Sequence, residues 1–183
     1  MARTKYGYAE TSDVRATIAG HLPHIVNDTL ALENGQPVVI DKIDSGEVYK
    51  VKKPTATTEP ILIHHSALYS YDDSTTLGQH EMYLRLEAGE VGRAYPTEPL
   101  DRWAFADYMI KPLSTNLAVG NYIVIDPDGT ESKFYEEIAS ATDITAYGFV
   151  AVIEAIEKKS ANMTLVRVRV LKNETGTTDD VGA

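Results

Sequence analysis

Cysteine is absent from the 183 residues, which removes disulfide frameworks, thiolate metal sites and cysteine nucleophiles together. Basic charge is scarce: 17 lysines and arginines stand against 27 aspartates and glutamates, a formal net charge of −10. A surface of that sign repels phosphate backbones, so nucleic acid is not an expected partner. No apolar run approaches the roughly 18 residues that a spanning helix needs. The positively charged start, with Arg3 and Lys5, has no apolar stretch of a secretory signal behind it. The expectation is a soluble protein made and used without export, with no membrane partner. What is present, 43% hydrophobic and 24% charged residues, is a globular balance able to bury the core of one mid-sized domain.

Residues 1–32 differ from the rest. They show no sustained alternation, and Gly7, Gly20 and Pro23 interrupt whatever begins. Ser12-Asp13 is placed to cap a short helical turn over Val14 to Ala19. This stretch reads as an extended N-terminal arm whose sparse apolar residues cannot build a core alone.

From Asn34 the signals are those of short strands. The turn pair Asn34-Gly35 leads into Pro37 to Ile40, and Ser45-Gly46 turns the chain into Val48 to Lys52, with Tyr49 and Val51 on one face and lysines on the other. Further strands are expected at Ile61–His64, Val91–Tyr95, Arg102–Ile110 and Asn121–Ile125, the last leaving through Asp126-Pro127-Asp128-Gly129, a type I turn sequence. A helical turn or two is placed within Leu77–Leu86, and Phe134-Tyr135 returns as a hairpin partner or short helical turn. Tyr147 to Ile156 is an apolar run suited to a strand buried on both faces. Leu165 to Leu171 alternates, valines 166, 168 and 170 inward and Arg167 and Arg169 outward, with Lys158–Asn162 as the connecting loop. About nine short strands between turn signals predict an all-β fold, a small barrel or sandwich over residues 33–172, followed by a polar, frayed tail at 173–183.

Catalytic patterns are mostly missing. His80-Glu81 opens like a zinc-protease helix, but Leu84 stands where the second histidine belongs. His64 and His65 are neighbours, so on a strand they point to opposite faces, one packed and one solvated. His21 and His24 sit around Pro23, which disfavours helical ligand geometry. Asp126–Gly129 lacks the rest of a calcium loop, and Asp41, Asp44 and Glu47 read as solvated turn acids. No metal, no cofactor and no catalytic residue is expected.

The tyrosines carry more information: 11 of them against 3 phenylalanines and one tryptophan. Tyrosine joins an apolar body to a polar tip and is favoured where surfaces meet. Tyr6 and Tyr8 lie in the arm with Arg3, Lys5 and Arg15, a basic and aromatic segment on an acidic body. These five residues are the expected partner contacts. Trp103, in an apolar strand, is expected in the core.

The order of segments from Asn34 to Lys172 resembles the capsid decoration (cement) proteins of tailed bacteriophages. The resemblance is carried by Asn34-Gly35 to Ile40, Glu47-Val48-Tyr49 leading into a proline-containing loop, Ile61 to Tyr71, and Leu77 to Pro96 with Glu87-Ala88-Gly89-Glu90 inside it. It continues through Trp103 to Ile110, Val119-Gly120-Asn121-Tyr122-Ile123-Val124, Phe149 to Glu154 and Leu165 to Val170. It implies binding without chemistry: a homotrimer on the outer face of an assembled shell, clamping neighbouring major capsid protein subunits. Three alternatives stand beside it. One is another virion part, such as a head–tail adaptor, tail-tube or fibre-base subunit. Another is a small β-barrel hydrolase using Asp41, Asp44 and Asp107. The third is a ligand-binding β-sandwich with Trp103 and surface tyrosines as a stacking platform.

Overall fold

The computed structural model describes residues 4–16, 22–67, 81–127, 133–137, 145–161 and 163–176. These hold twelve strands: β1 (Ala9–Asp13), β2 (His24–Val26), β3 (Pro37–Ser45), β4 (Val48–Lys52), β5 (Leu62–His64), β6 (Val91–Pro96), β7 (Arg102–Ala106), β8 (Ile110–Lys111), β9 (Tyr122–Ile125), β10 (Phe134–Glu137), β11 (Phe149–Ser160) and β12 (Met163–Asn173). Two single 3₁₀ turns lie at Glu81–Tyr83 and Asp107–Met109, and Arg15 and Ala16 are helical. The fold is all-β. Strands β2-β4-β3-β5-β6 close a barrel, and β1-β7-β12-β11-β9-β10-β8 form an open seven-stranded sheet.

The large sheet follows its side-chain pattern. Val166, Val168 and Val170 of β12 are fully buried, while Arg167 and Arg169 reach Glu157 and Glu154 on the outer face. All three phenylalanines and the tryptophan lie in the core. Trp103 stacks on Phe105 with centroids 5.8 Å apart, Phe105 meets Phe134 at 4.9 Å, and Phe134 meets Phe149 at 5.8 Å. Each such ring contributes about 1.5–3 kcal/mol by leaving water. Ile61 and Ile63, at the barrel's β5, belong to this same cluster. The barrel interior is filled by Ile25, Leu32, Val38, Val51, Leu86 and Ala94.

Several expectations are corrected here. The N-terminal stretch is extended but is not a separate arm: β1 pairs antiparallel with β7, and Ala9, Val14 and Ala16 are buried. β2 pairs parallel with β4 and antiparallel with β6, closing the barrel. The expected boundary between residues 32 and 33 therefore separates strands of one barrel. The Arg102–Ile110 strand is broken, because the 3₁₀ turn at Asp107–Met109 swings Met109 into the core and lets the Tyr108 hydroxyl donate to the Tyr6 carbonyl at 2.8 Å. β11 is buried at Phe149, Val150, Ala151 and Ile153, with Val152 half-buried, where β9 flanks it; from Glu154 onward its side chains lie at the surface or half-buried. The β11–β12 loop is shorter than expected, since the strands run to Ser160 and resume at Met163. The start of the tail is held: Glu174 N–H donates to Gly148 and Gly176 N–H to Thr58, both at 2.8–2.9 Å. Residues 177–183, with the rest of the tail, lie outside the described residues, as do Tyr71 to His80 and the end of the Asp126–Gly129 turn.

Candidate interaction surface

The residues expected to reach a partner are mostly engaged at home. Lys5 is exposed, with its Nζ 5.6 Å above the Tyr108 ring. The Tyr6 ring lies under the Arg85 guanidinium at 5.1 Å and the Tyr8 ring under Lys159 at 5.4 Å. Both tyrosines are half-buried, and Tyr8 also packs on the main core. Arg15 lies past the other end of β1. Its backbone N–H donates to the buried Asp101 carboxylate at 3.0 Å and its side chain pairs with Glu98 at 3.2 Å. Lys5 and Tyr6 are thus gathered at Tyr108, Arg15 is not among them, and Arg3 lies outside the described residues. These residues therefore make intramolecular contacts with Tyr108, Arg85, Lys159 and Glu98.

A different surface stands out. Beyond Val39, the second half of β3 bonds to β4 alone, since β5 reaches only Pro37 and Val38. Residues 40–47 are all exposed. Ile43 sits directly opposite Tyr49, so these two side chains share one face of the hairpin, with Ile43 66% exposed. The other face carries charge: Lys50 pairs with Asp28 and with Asp44 at 3.2 Å, and Lys52 with Asp41 at 3.4 Å. Ion pairs at that exposure stabilise little, so they shape the hairpin more than they hold it. Gly46 in its left-handed turn (φ +57°) makes the reversal possible. The signal was present in the sequence, an isoleucine between Lys42 and Asp44 before Ser45-Gly46, but alternation alone does not say that this stretch runs past its neighbour strand.

The candidates for chemistry separate. Asp41 and Asp44 are ion-paired on the barrel hairpin, while Asp107 belongs to the large sheet, where its carboxylate accepts the Tyr108 N–H at 2.9 Å. Among the described residues two carboxylates are buried, and both hold loops. Asp101 accepts the Arg15 and Glu98 N–H groups, and Glu136 accepts from Leu113 N, Ala118 N and Asn121 Nδ2 at 2.8–2.9 Å. Burial pushes the phenol of Tyr108 above its ordinary range, so it serves as a hydrogen-bond donor. Trp103 is in the core, its Nε1 donating to Thr97 Oγ1 at 2.9 Å. Among the described residues no group of three or more histidines and acids is placed to hold a metal ion; His21 and His80 lie outside them. No described helix is long and apolar enough to cross a membrane.

No protein-family model, curated protein or solved structure matches the chain. What the geometry offers is a surface for contact: an apolar pair on a projecting hairpin, flanked by paired charges that set orientation.

Proposed function

We propose that this protein is a capsid decoration protein. It binds the outer face of an assembled phage shell as a homotrimer and clamps neighbouring major capsid protein subunits, without catalysis or cofactor. The observation that carries the reading is the β3–β4 hairpin, where Ile43, opposite the half-buried Tyr49, is 66% exposed and lies beyond the reach of β5. The order of strand and turn segments from Asn34 to Lys172 supports the same assignment. A contact of about 1,000–2,000 Å² suffices for specific association, and bridging two subunits raises the effective concentration of the second contact. The protein acts on the virion surface after synthesis in the host cytoplasm.

Mixing the purified protein with expanded, undecorated shells and imaging them by cryo-electron microscopy tests this. Density at regular outer-surface positions, hundreds of copies per particle, is expected. Ile43→Asp should lower occupancy at least about tenfold, the loss of one apolar anchor, with an unchanged melting temperature. Bare shells, or binding only at the tail, would discard the proposal.

A further inference from the structure

The barrel has a second feature that the hairpin contact leaves unused. β2 and β6 run antiparallel with His24 directly opposite Arg93, so their side chains share one face. With His65, Ser66 and Tyr95 they line an open cleft of ≈610 Å³. The backbone of Arg93 is held from both sides: its N–H donates to Ser66 Oγ at 2.9 Å and its carbonyl accepts the His65 N–H at 3.1 Å. Behind it, the buried His64 donates from Nδ1 to the Glu33 carbonyl at 2.9 Å, which leaves Nε2 to accept the Ser66 hydroxyl at 3.1 Å. The Asn34 amide brackets the Ser66 backbone, accepting its N–H at 2.9 Å and donating to its carbonyl at 3.1 Å. Gly92 leaves the necessary room, because a Cβ there would stand 2.8 Å from Ser66 Oγ and 3.0 Å from His64 Nε2.

The stem of Arg93 is therefore fixed while its guanidinium is uncommitted. Arg15, Arg85, Arg102, Arg167 and Arg169 each pair with a glutamate. Arg93 makes no ion pair with any described residue, in a chain holding 27 acids. It is a local reversal of sign, with two imidazoles beside it and, as a wall, the Tyr95 ring set edge-on to His65 at 5.7 Å. The guanidinium fork matches a carboxylate in two parallel hydrogen bonds, and the ring covers the methylenes of an acidic side chain. A long polyphosphate would meet the repulsion of a body at −10, which a short acidic segment largely avoids.

We propose that this cleft binds a carboxylate of an acidic segment on a protein partner, with Arg93 as the contacting group and His24 beside it, while His65, whose Nε2 donates to the Ala9 carbonyl at 3.1 Å, forms part of the wall. The inference stands whether or not that partner is a phage shell. The full-length labelled protein is titrated with N-acetyl-triglutamate amide at low salt, following the Arg93 Nε–H and the His24 and His65 imidazole signals by NMR. Saturable shifts confined to these groups are expected, with affinity lowered at least about tenfold in Arg93→Ala and unchanged in Arg15→Ala. Should Arg93→Ala fail to fold, Arg93→Lys keeps the charge without the fork and should still weaken binding several-fold. The assignment is overturned by no shifts at about 10 mM peptide, by an equal response to triglutamine, or by a response to inorganic phosphate alone.

Discussion

The His64 imidazole sits fully buried in the barrel wall, and its pKa is pushed down to about 4. Burial is the main cause; the bond to the Glu33 carbonyl works the other way, and the nearby His65 adds a little to the depression. The folded protein therefore holds His64 neutral, whereas an unfolded chain protonates it near pH 6.5. A depressed folded value means stability that is complete above about pH 6.5 and is lost as pH falls toward 4, by about 3 kcal/mol. Denaturant unfolding between pH 7 and 4 should show that loss. His64→Gln should be less stable at pH 7 yet lose less over the same interval. An imidazole signal for His64 that titrates near 6.5 would refute the account. Adjacent histidines on a strand told that one would pack, not which; His64 is the buried one and His65 is half-buried. The hydrogen bonds that make His64 acceptable there were not legible, because Glu33 precedes it by 31 positions and Gly92, which makes the space, lies on another strand.

At the scale of elements, legibility followed burial on one face. β12 and the first half of β11 were readable because alternating valines and a continuous apolar run match their two environments. β1 and β2 were not. Each contributes few apolar residues, three residues suffice for β2, and their partners β7, β4 and β6 are distant in sequence, so a tertiary pairing decided what local pattern left open. This changes how the N-terminal segment should be tested. Removing residues 2–20 strips Ala9, Val14 and Ala16 from the core and uncovers the β7 edge. Such a truncation should lose at least about 2 kcal/mol from the valine and alanine burial alone, and should aggregate more readily through the bared strand. Chemical unfolding and light scattering measure both, and unchanged values would mean that β1 is not docked. Lys5→Ala and Arg15→Ala, both at exposed positions, are the substitutions that isolate any contact these residues make with a partner.

For the whole molecule, the question is whether barrel and sheet unfold together. Asn173, at the end of β12, answers it with one side chain. Its Oδ1 accepts the Ile61 N–H, and its Nδ2 donates to the carbonyls of Ile61 and Thr97, all at 2.8 Å. Ile61 precedes β5 and Thr97 follows the antiparallel β6, so the last strand of the sheet is stapled to both of these barrel strands at one end of their pairing. The packing agrees: Ile61, Ile63 and the Tyr95 ring lie against the Trp103–Phe105 stack, Tyr95 meeting Trp103 edge-on at 5.8 Å. A tail that looked polar and frayed concealed this, since a lone asparagine carries no periodic signal. The wild-type protein should therefore unfold in one transition, with near-ultraviolet signal from Trp103 and far-ultraviolet β signal coincident. Asn173→Ala leaves one N–H and two carbonyls unpaired and should cost about 3 kcal/mol. That loss should appear as a lower denaturant midpoint at an unchanged slope, because the surface exposed on unfolding is the same. Two separate transitions in the wild type, or a midpoint that does not move in the variant, would show that the two sheets are independent and that Asn173 does not join them.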